Sequence, residues 1–184
     1  MEKRVLKLAG VVGGVGLLLT SCAGNGAADA QGAVVTRNDF ENVLGWGGSA
    51  EASLTAERAH SGKYAVRVGP QNEFGYIYIQ SLGKMSVARA KSVTVSAWVW
   101  VPSAQATATL VLAISHSPER NIPVFYGSIP LVIAAKEFKN WRLVSQTFLL
   151  PDSVQDTNQL KCYLWRGSTN ENVYADDITL SVSN

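Results

Sequence analysis

Ser92-Val93-Thr94-Val95-Ser96-Ala97-Trp98-Val99-Trp100-Val101-Pro102 is the stretch that decides the fold. It alternates with a period of two. Val93, Val95, Ala97, Val99 and Val101 fall on one face, and Thr94, Ser96, Trp98 and Trp100 on the other. Strict alternation of β-branched and aromatic residues predicts a strand, and Pro102 stops it because it has no N–H to give to a ladder. The valine face suits a dry core. The opposite face sets two indoles beside two hydroxyls, a surface costly to leave wet and suited to gripping something flat.

The same signature repeats outward from this strand. Further strands are predicted over 34–37, 52–56, 64–68, 76–82, 109–115, 141–150, 160–165 and 173–182. Turn residues separate them, among them Ser61-Gly62, Gly69-Pro70, Pro102-Ser103, Pro118 and Pro151-Asp152. No window of a dozen residues carries a helical stripe, although 133–138 has room for one turn. Many short strands with regular turns predict an all-β chain folded as a jelly-roll β-sandwich whose first and last strands meet.

The N-terminus reads differently. Lys3, Arg4 and Lys7 form a basic start, and 8–19 is an apolar run interrupted only by glycines. It is too short and glycine-rich for a comfortable membrane span and reads as a signal peptide. It ends in Leu19-Thr20-Ser21-Cys22, which resembles the lipobox of bacterial lipoproteins. That resemblance implies lipidation of Cys22 after cleavage of 1–21, and hence a membrane anchor in the bacterial cell envelope, in the outer membrane. Several acyl chains on one residue anchor stably where one is marginal. Residues 22–33 then form a flexible tether rich in Ala, Gly and polar residues, and 34–184 one β-sandwich domain.

Charge and cysteine content exclude some classes. Of 16 basic and 14 acidic residues, three and one lie in 1–21, so 13 of each remain and the net charge of +2 belongs to the signal. No basic field is left to attract nucleic acid. With Cys22 lipidated, Cys162 has no intrachain disulfide partner. It alternates with Leu160 and Leu164 and reads as a small buried hydrophobe.

A catalytic constellation is not legible. Glycoside cleavage needs two carboxyl groups facing each other, about 5 to 10 Å apart. Asp176 and Asp177 are adjacent and on a strand point to opposite faces. The two histidines, His60 and His116, sit in no Gly-x-Ser-x-Gly or His-Glu-x-x-His context. His60 precedes a Ser-Gly turn and reads as structural. Three segments carry hard oxygen ligands of the kind Ca²⁺ takes: Asp39-Phe40-Glu41, Ser61-Gly62-Lys63 through its carbonyls, and Asp176-Asp177. On spacing alone, acids that cap turns are the simpler reading.

Several pieces recur in a familiar order: Asn38-Asp39-Phe40-Glu41, Gly45-Trp46, His60-Ser61-Gly62-Lys63-Tyr64-Ala65-Val66-Arg67-Val68, Ser96-Ala97-Trp98-Val99, Trp141, Phe148 with Pro151, and Val173-Tyr174-Ala175-Asp176-Asp177-Ile178. Over residues 35–182 this set resembles the galactose-binding-like jelly rolls of carbohydrate-binding modules of families four, nine and twenty-two. The resemblance implies non-covalent carbohydrate binding. It also implies a structural Ca²⁺ held by the Glu41 side chain, the Lys63 backbone carbonyl and the Asp177 side chain, with Asp39, Ser61 and Asp176 as second choices. Those modules are usually appended to a glycosidase, and no catalytic domain is legible in this sequence.

Sugar rings present apolar C–H faces that aromatic planes cover. Strand parity puts Trp98 with Trp100, Tyr76 with Tyr78 opposite Ile77 and Ile79, and Tyr163 with Trp165 and Lys161 opposite Cys162 and Leu164. If the three strands share a sheet, these aromatics line one groove with Lys161 at its edge. Trp100 and Trp165 are then the principal stacking residues, flanked by Trp98, Tyr163, Tyr76 and Tyr78. The alternative is that 121–138 covers the aromatics, with Phe125 and Tyr126 packing on the tryptophans. Trp46 and Trp141 lie beside turns and read as packing residues. The sequence therefore predicts a monomeric, non-enzymatic, lipid-anchored carbohydrate-binding module. A structural or adhesive lipoprotein that docks a protein partner is the second reading, and a glycan-active hydrolase the third.

Overall fold

The computed structural model describes residues 32–48, 51–86 and 89–184. The signal segment, Cys22 and the rest of the tether before Gly32 lie outside them. In chain order the elements are β1 (Ala33–Asn38), β2 (Trp46–Gly47), a 3-10 turn (Glu51–Ser53), β3 (Leu54–Thr55), β4 (Ala65–Val68), β5 (Phe74–Ser81) and α1 (Leu82–Met85). There follow β6 (Ser92–Trp100), β7 (Thr109–Ser115), β8 (Pro123–Pro130), α2 (Leu131–Ala135), β9 (Trp141–Leu149), β10 (Gln159–Trp165) and β11 (Val173–Ser183). Two antiparallel sheets result. Sheet A runs β3-β4-β11-β6-β9 with β1 also on β11, and sheet B runs β2-β5-β10-β7-β8. This is the all-β jelly-roll sandwich that the strand pattern predicts.

The quoted strand, β6, lies in sheet A between the central strand β11 and the edge strand β9. Its inward residues Val93, Val95, Ala97 and Val99, with Val101 just after it, are at most 1% exposed. Facing them from sheet B are Leu110, Leu112, Ile114, Leu160, Cys162 and Leu164, buried to the same degree. Burying an aliphatic side chain of this size contributes about 1.5–3 kcal/mol. The Cys162 thiol belongs to this core, and burial pushes its pKa up to about 12.

Three local departures from simple alternation shape the surfaces. On β5 the register against β10 shifts, so that three steps from Phe74 to Ile77 match two from Trp165 to Tyr163. The extra residue is a bulge. Gly75 turns inward, where a Cβ would touch Leu164 and Val66 at 3.4 and 3.6 Å. Phe74 emerges on the same face as Ile77. This reverses the expected parity: Tyr76 and Tyr78 are 8% and 7% exposed in the core, and Ile79 is 41% exposed. A strand apolar on both faces does not fix its own facing.

The second departure is β8, which lies in the segment expected to be a covering loop. It begins and ends in proline, and it is tolerated because it is an edge strand. The third is on β11. Its pairing with β6 shifts between Asp176 and Thr179, and Asp177 has φ of 49°. The shift falls where β4 stops pairing with β11, at Ala175, and β1 begins, at Ile178.

Candidate functional site

Sheet B turns a largely apolar face to solvent. Ile77, Tyr163, Val111 and Ser128 form one row across it, and Ile79, Lys161, Ala113 and Tyr126 the next. Phe74, Trp165, Thr109 and Pro130 form a third. Phe74 meets Tyr163 edge to face, with centroids 5.8 Å apart and planes at 70°. A cavity of about 340 Å³ opens here, lined by Phe74, Ile77, Tyr163, Lys161, Tyr126 and Asn121 among others. A second of about 400 Å³ lies on the far side of Phe74 and Ile77, bounded by Gly48, Ala52, Asn72 and Glu73. Because they share Phe74 and Ile77, the two form one groove running across the strands from the β2 edge towards β8.

The groove joins flat apolar rings to sparse polar groups. Burial, and secondarily the neighbouring Tyr126, raises the Tyr163 phenol above its ordinary range, so at neutral pH it stays an uncharged donor. Trp165 lies beside the groove with its Nε1 donating to Glu73 Oε1 at 3.4 Å. Lys161 Nζ donates to Asn121 Oδ1 at 2.9 Å, tying β10 to the loop before β8. Rings that cover C–H faces, with a few convergent donors and acceptors, are the features of a small-molecule or chain-binding site.

Of the six aromatics expected in a single groove, the structure brings only Tyr163 and Trp165 to this face. Tyr76 and Tyr78 lie beneath it, with Tyr78 packed 5.6 Å from Trp46. Trp98 and Trp100 belong to the other sheet, because β6 pairs in sheet A while β5 and β10 pair in sheet B. Phe74 and Asn121 join Tyr163 in the groove, as do Ile77 and Tyr126, which the sequence pattern places on the opposite face and on the tryptophans respectively. The glycine inside the β5 apolar run is the signal that marks the bulge bringing out Phe74.

On sheet A the tryptophans are half-buried under the turn between β3 and β4. The Arg58 guanidinium lies 4.0 Å from the Trp100 ring centroid, and Tyr174 meets Trp100 edge-on at 5.6 Å. His60 covers Trp98, and Trp141 approaches His60 at 5.8 Å. The cover is thus residues 58–60 and not 121–138. Phe125 packs instead on Phe148, 6.2 Å away, and Tyr126 lines the groove.

The segments holding Glu41, Lys63 and Asp177 converge, but their carboxylates face N–H donors. Glu41 Oε1 accepts from the backbone N–H of Lys63 at 2.6 Å and of Tyr64 at 2.7 Å. Gly62 is required at this turn: its φ is 57°, and a Cβ would lie 2.5 Å from the Glu41 carboxyl. Asp177 Oδ1 accepts from Arg37 at 3.0 Å, and its Oδ2 lies 2.8 Å from His60 Nδ1. Asp176, wholly buried, accepts at Oδ2 from the N–H of His60 at 2.8 Å and of Ser61 at 3.0 Å. Asp39 caps its own turn through the Glu41 N–H at 3.2 Å. Ca²⁺ takes six to eight oxygens aimed at one point. Among the described residues no group of three His, Cys, Asp or Glu side chains could hold a metal ion. As arranged here, the Asp177 oxygens meet Arg37 and His60, and Glu41 Oε1 meets two backbone N–H groups.

An antiparallel sandwich carrying an open aromatic groove defines a ligand-binding module. The family model described as Carbohydrate binding domain (CBM_4_9) matches residues 32–171, and the chain belongs to that family. It is a non-catalytic carbohydrate-binding β-sandwich module. No curated protein matches significantly. Among solved structures it is similar to the CBM22-1 xylan-binding domain of Paenibacillus barcinonensis Xyn10C, at 17% identity over 83% of this chain and 96% of that one, with a TM-score of 0.51. The C-terminal family 22 module of Clostridium thermocellum Xyn10B is similar at 16% identity, with 85% and 98% covered and a TM-score of 0.51. A Family 16 Carbohydrate Binding Module-2 is similar at 18% identity, with 79% and 97% covered and a TM-score of 0.54. At these identities the likeness establishes the fold.

Proposed function

We propose that the outer face of sheet B is the glycan-binding surface of a lipid-anchored module of the bacterial cell envelope. The observation that carries the binding site is the groove itself, in which two cavities of about 340 and 400 Å³ meet over Phe74 and Ile77. Its length across the strands suits a chain of sugars rather than a single one. Tyr163 and Phe74 form the stacking floor, Trp165 and Tyr126 flank it, and Asn121, Lys161 and Glu73 supply polar contacts. An exposed platform of this kind is otherwise a solubility liability. The anchor rests on the sequence alone, through the basic start, the apolar run and the lipobox-like residues before Cys22. A glycan array probed with residues 32–184, followed by titration of the best binder against Tyr163→Ala, tests the site. Equal binding by wild type and variant would falsify it.

A further inference from the structure

Among the described residues, Lys161 is the single charged side chain lining the more apolar cavity, that of about 340 Å³, and no carboxylate lines it. Its position is fixed twice. Strand register sets it between Ile79 and Ala113, and Asn121 Oδ1 accepts one of its ammonium protons at 2.9 Å. An ammonium has three N–H donors, so two face the cavity or solvent. A neutral sugar chain lying on Tyr163 and Phe74 strips water from this cation and brings no opposite charge. Burying a charge without a partner is unfavourable, whereas a charge-assisted bond to a carboxylate is about twice as strong as a neutral one. At its other end the groove is bounded by Glu73, so the two ends differ in sign.

We propose that this groove selects acidic glycans, seating a uronic acid residue with its carboxylate on Lys161 and its ring against Tyr163. The inference rests on the binding site proposed above and names its substrate class. The test uses ligand pairs that differ only in the carboxylate. One pair is oligogalacturonate and its methyl ester; the other is a glucuronic acid-branched xylo-oligosaccharide and its carboxyl-reduced form, in which the branch is glucose. In at least one pair the charged member should bind about tenfold tighter at low ionic strength. That advantage should shrink as salt is raised. Lys161→Met should abolish the advantage and its salt dependence, and Lys161→Arg should keep most of it. Melting curves of both variants exclude a folding defect. Binding to charged and neutral members alike, or an advantage that survives Lys161→Met, overturns the selectivity while leaving the binding site standing. No Tyr163-dependent binding to any member overturns the binding site as well.

Discussion

His60 lies face to face with Trp98, ring centroids 3.9 Å apart and planes 11° from parallel, while its Nδ1 meets Asp177 Oδ2 at 2.8 Å. One imidazole therefore joins the aromatic face of sheet A to the β11 bulge. The backbone N–H groups of His60 and Ser61, both bonded to Asp176, hold the same turn from the other side. This turn closes over the tryptophans, and the consequence for Trp100 is direct.

Trp100→Ala should remove the ring beneath Arg58 without opening the core, since the valine face is untouched. Destabilisation of about 1–3 kcal/mol is expected. Glycan affinity should stay within about twofold of wild type. Chemical denaturation and glycan titration on the one variant check both. Loss of binding in a folded Trp100→Ala protein would return this face to the binding surface.

Tyr163→Ala should do the opposite. The ring lines the floor of the groove and lies above an intact inner row of Leu160, Cys162 and Leu164. Removing an aromatic anchor from a binding hot spot costs about 2 kcal/mol or more, some thirtyfold in affinity. Melting temperature should change little. Isothermal titration beside a thermal scan distinguishes this from a packing role, in which the scan would shift and the affinity of the folded protein would not.

A calcium ion held by Glu41, the Lys63 carbonyl and Asp177, as the family resemblance implies, would compete with the contacts now made by Arg37 and His60. As these are arranged, melting curves in calcium and in chelator should superimpose, and Asp177→Ala should destabilise the protein in both. A rise in melting temperature with calcium, lost in Asp177→Ala, would restore the ion. A ligand at a hundredfold excess over its dissociation constant stabilises by about 2.7 kcal/mol, well within reach of such a scan.

Acid should act through the same residue. Burial alone pushes the Asp177 carboxyl up, but hydrogen bonds from His60, Arg37 and Ser61 outweigh it and hold the group below its ordinary range. A carboxyl lowered on folding contributes stability that is present above its unfolded value, about pH 4, and lost as pH falls through the folded value. Below about pH 4, wild type should therefore lose stability faster than Asp177→Asn. Asp176, raised chiefly by burial, acts in the opposite sense but is present in both proteins. Parallel acid profiles for the two would refute this assignment.

For the anchor, Cys22→Ala should release the protein from the membrane fraction or stall its processing. A variant that stays membrane-bound and normally processed would remove the lipid attachment from the proposed function.

The fold was legible because the valine and leucine rows leave one solution for which face is buried. The groove was legible only on β10, where Lys161, Tyr163 and Trp165 alternate against Leu160, Cys162 and Leu164 and so declare their face. β5 could not declare it, because tyrosine alternates with isoleucine and one inserted glycine reverses the sense between Phe74 and Tyr76. Neither could pairing be read from parity. The outward tryptophans of β6 look equivalent to the outward aromatics of β10 until hydrogen bonding assigns them to different sheets. The proline at each end of β8 concealed the strand that contributes Tyr126.

β1 enters sheet A, and Gly32 lies with Val34 beside the outer surface of that sheet. The groove opens on sheet B, with a sandwich about 10 Å between sheets separating the two. With the proposed anchor at Cys22 and the proposed glycan site on sheet B, the tether would therefore pull from the back of the domain while a bound polymer pulled from the front. Tension between them crosses the ladder from Ala33, opposite Val182, to Asn38, opposite Ile178. Drawn along the strand, those bonds bear the load together in shear. Drawn away from the sheet, they open one after another from Ala33, so the mechanical strength of the attachment depends on the angle at which the polymer is pulled.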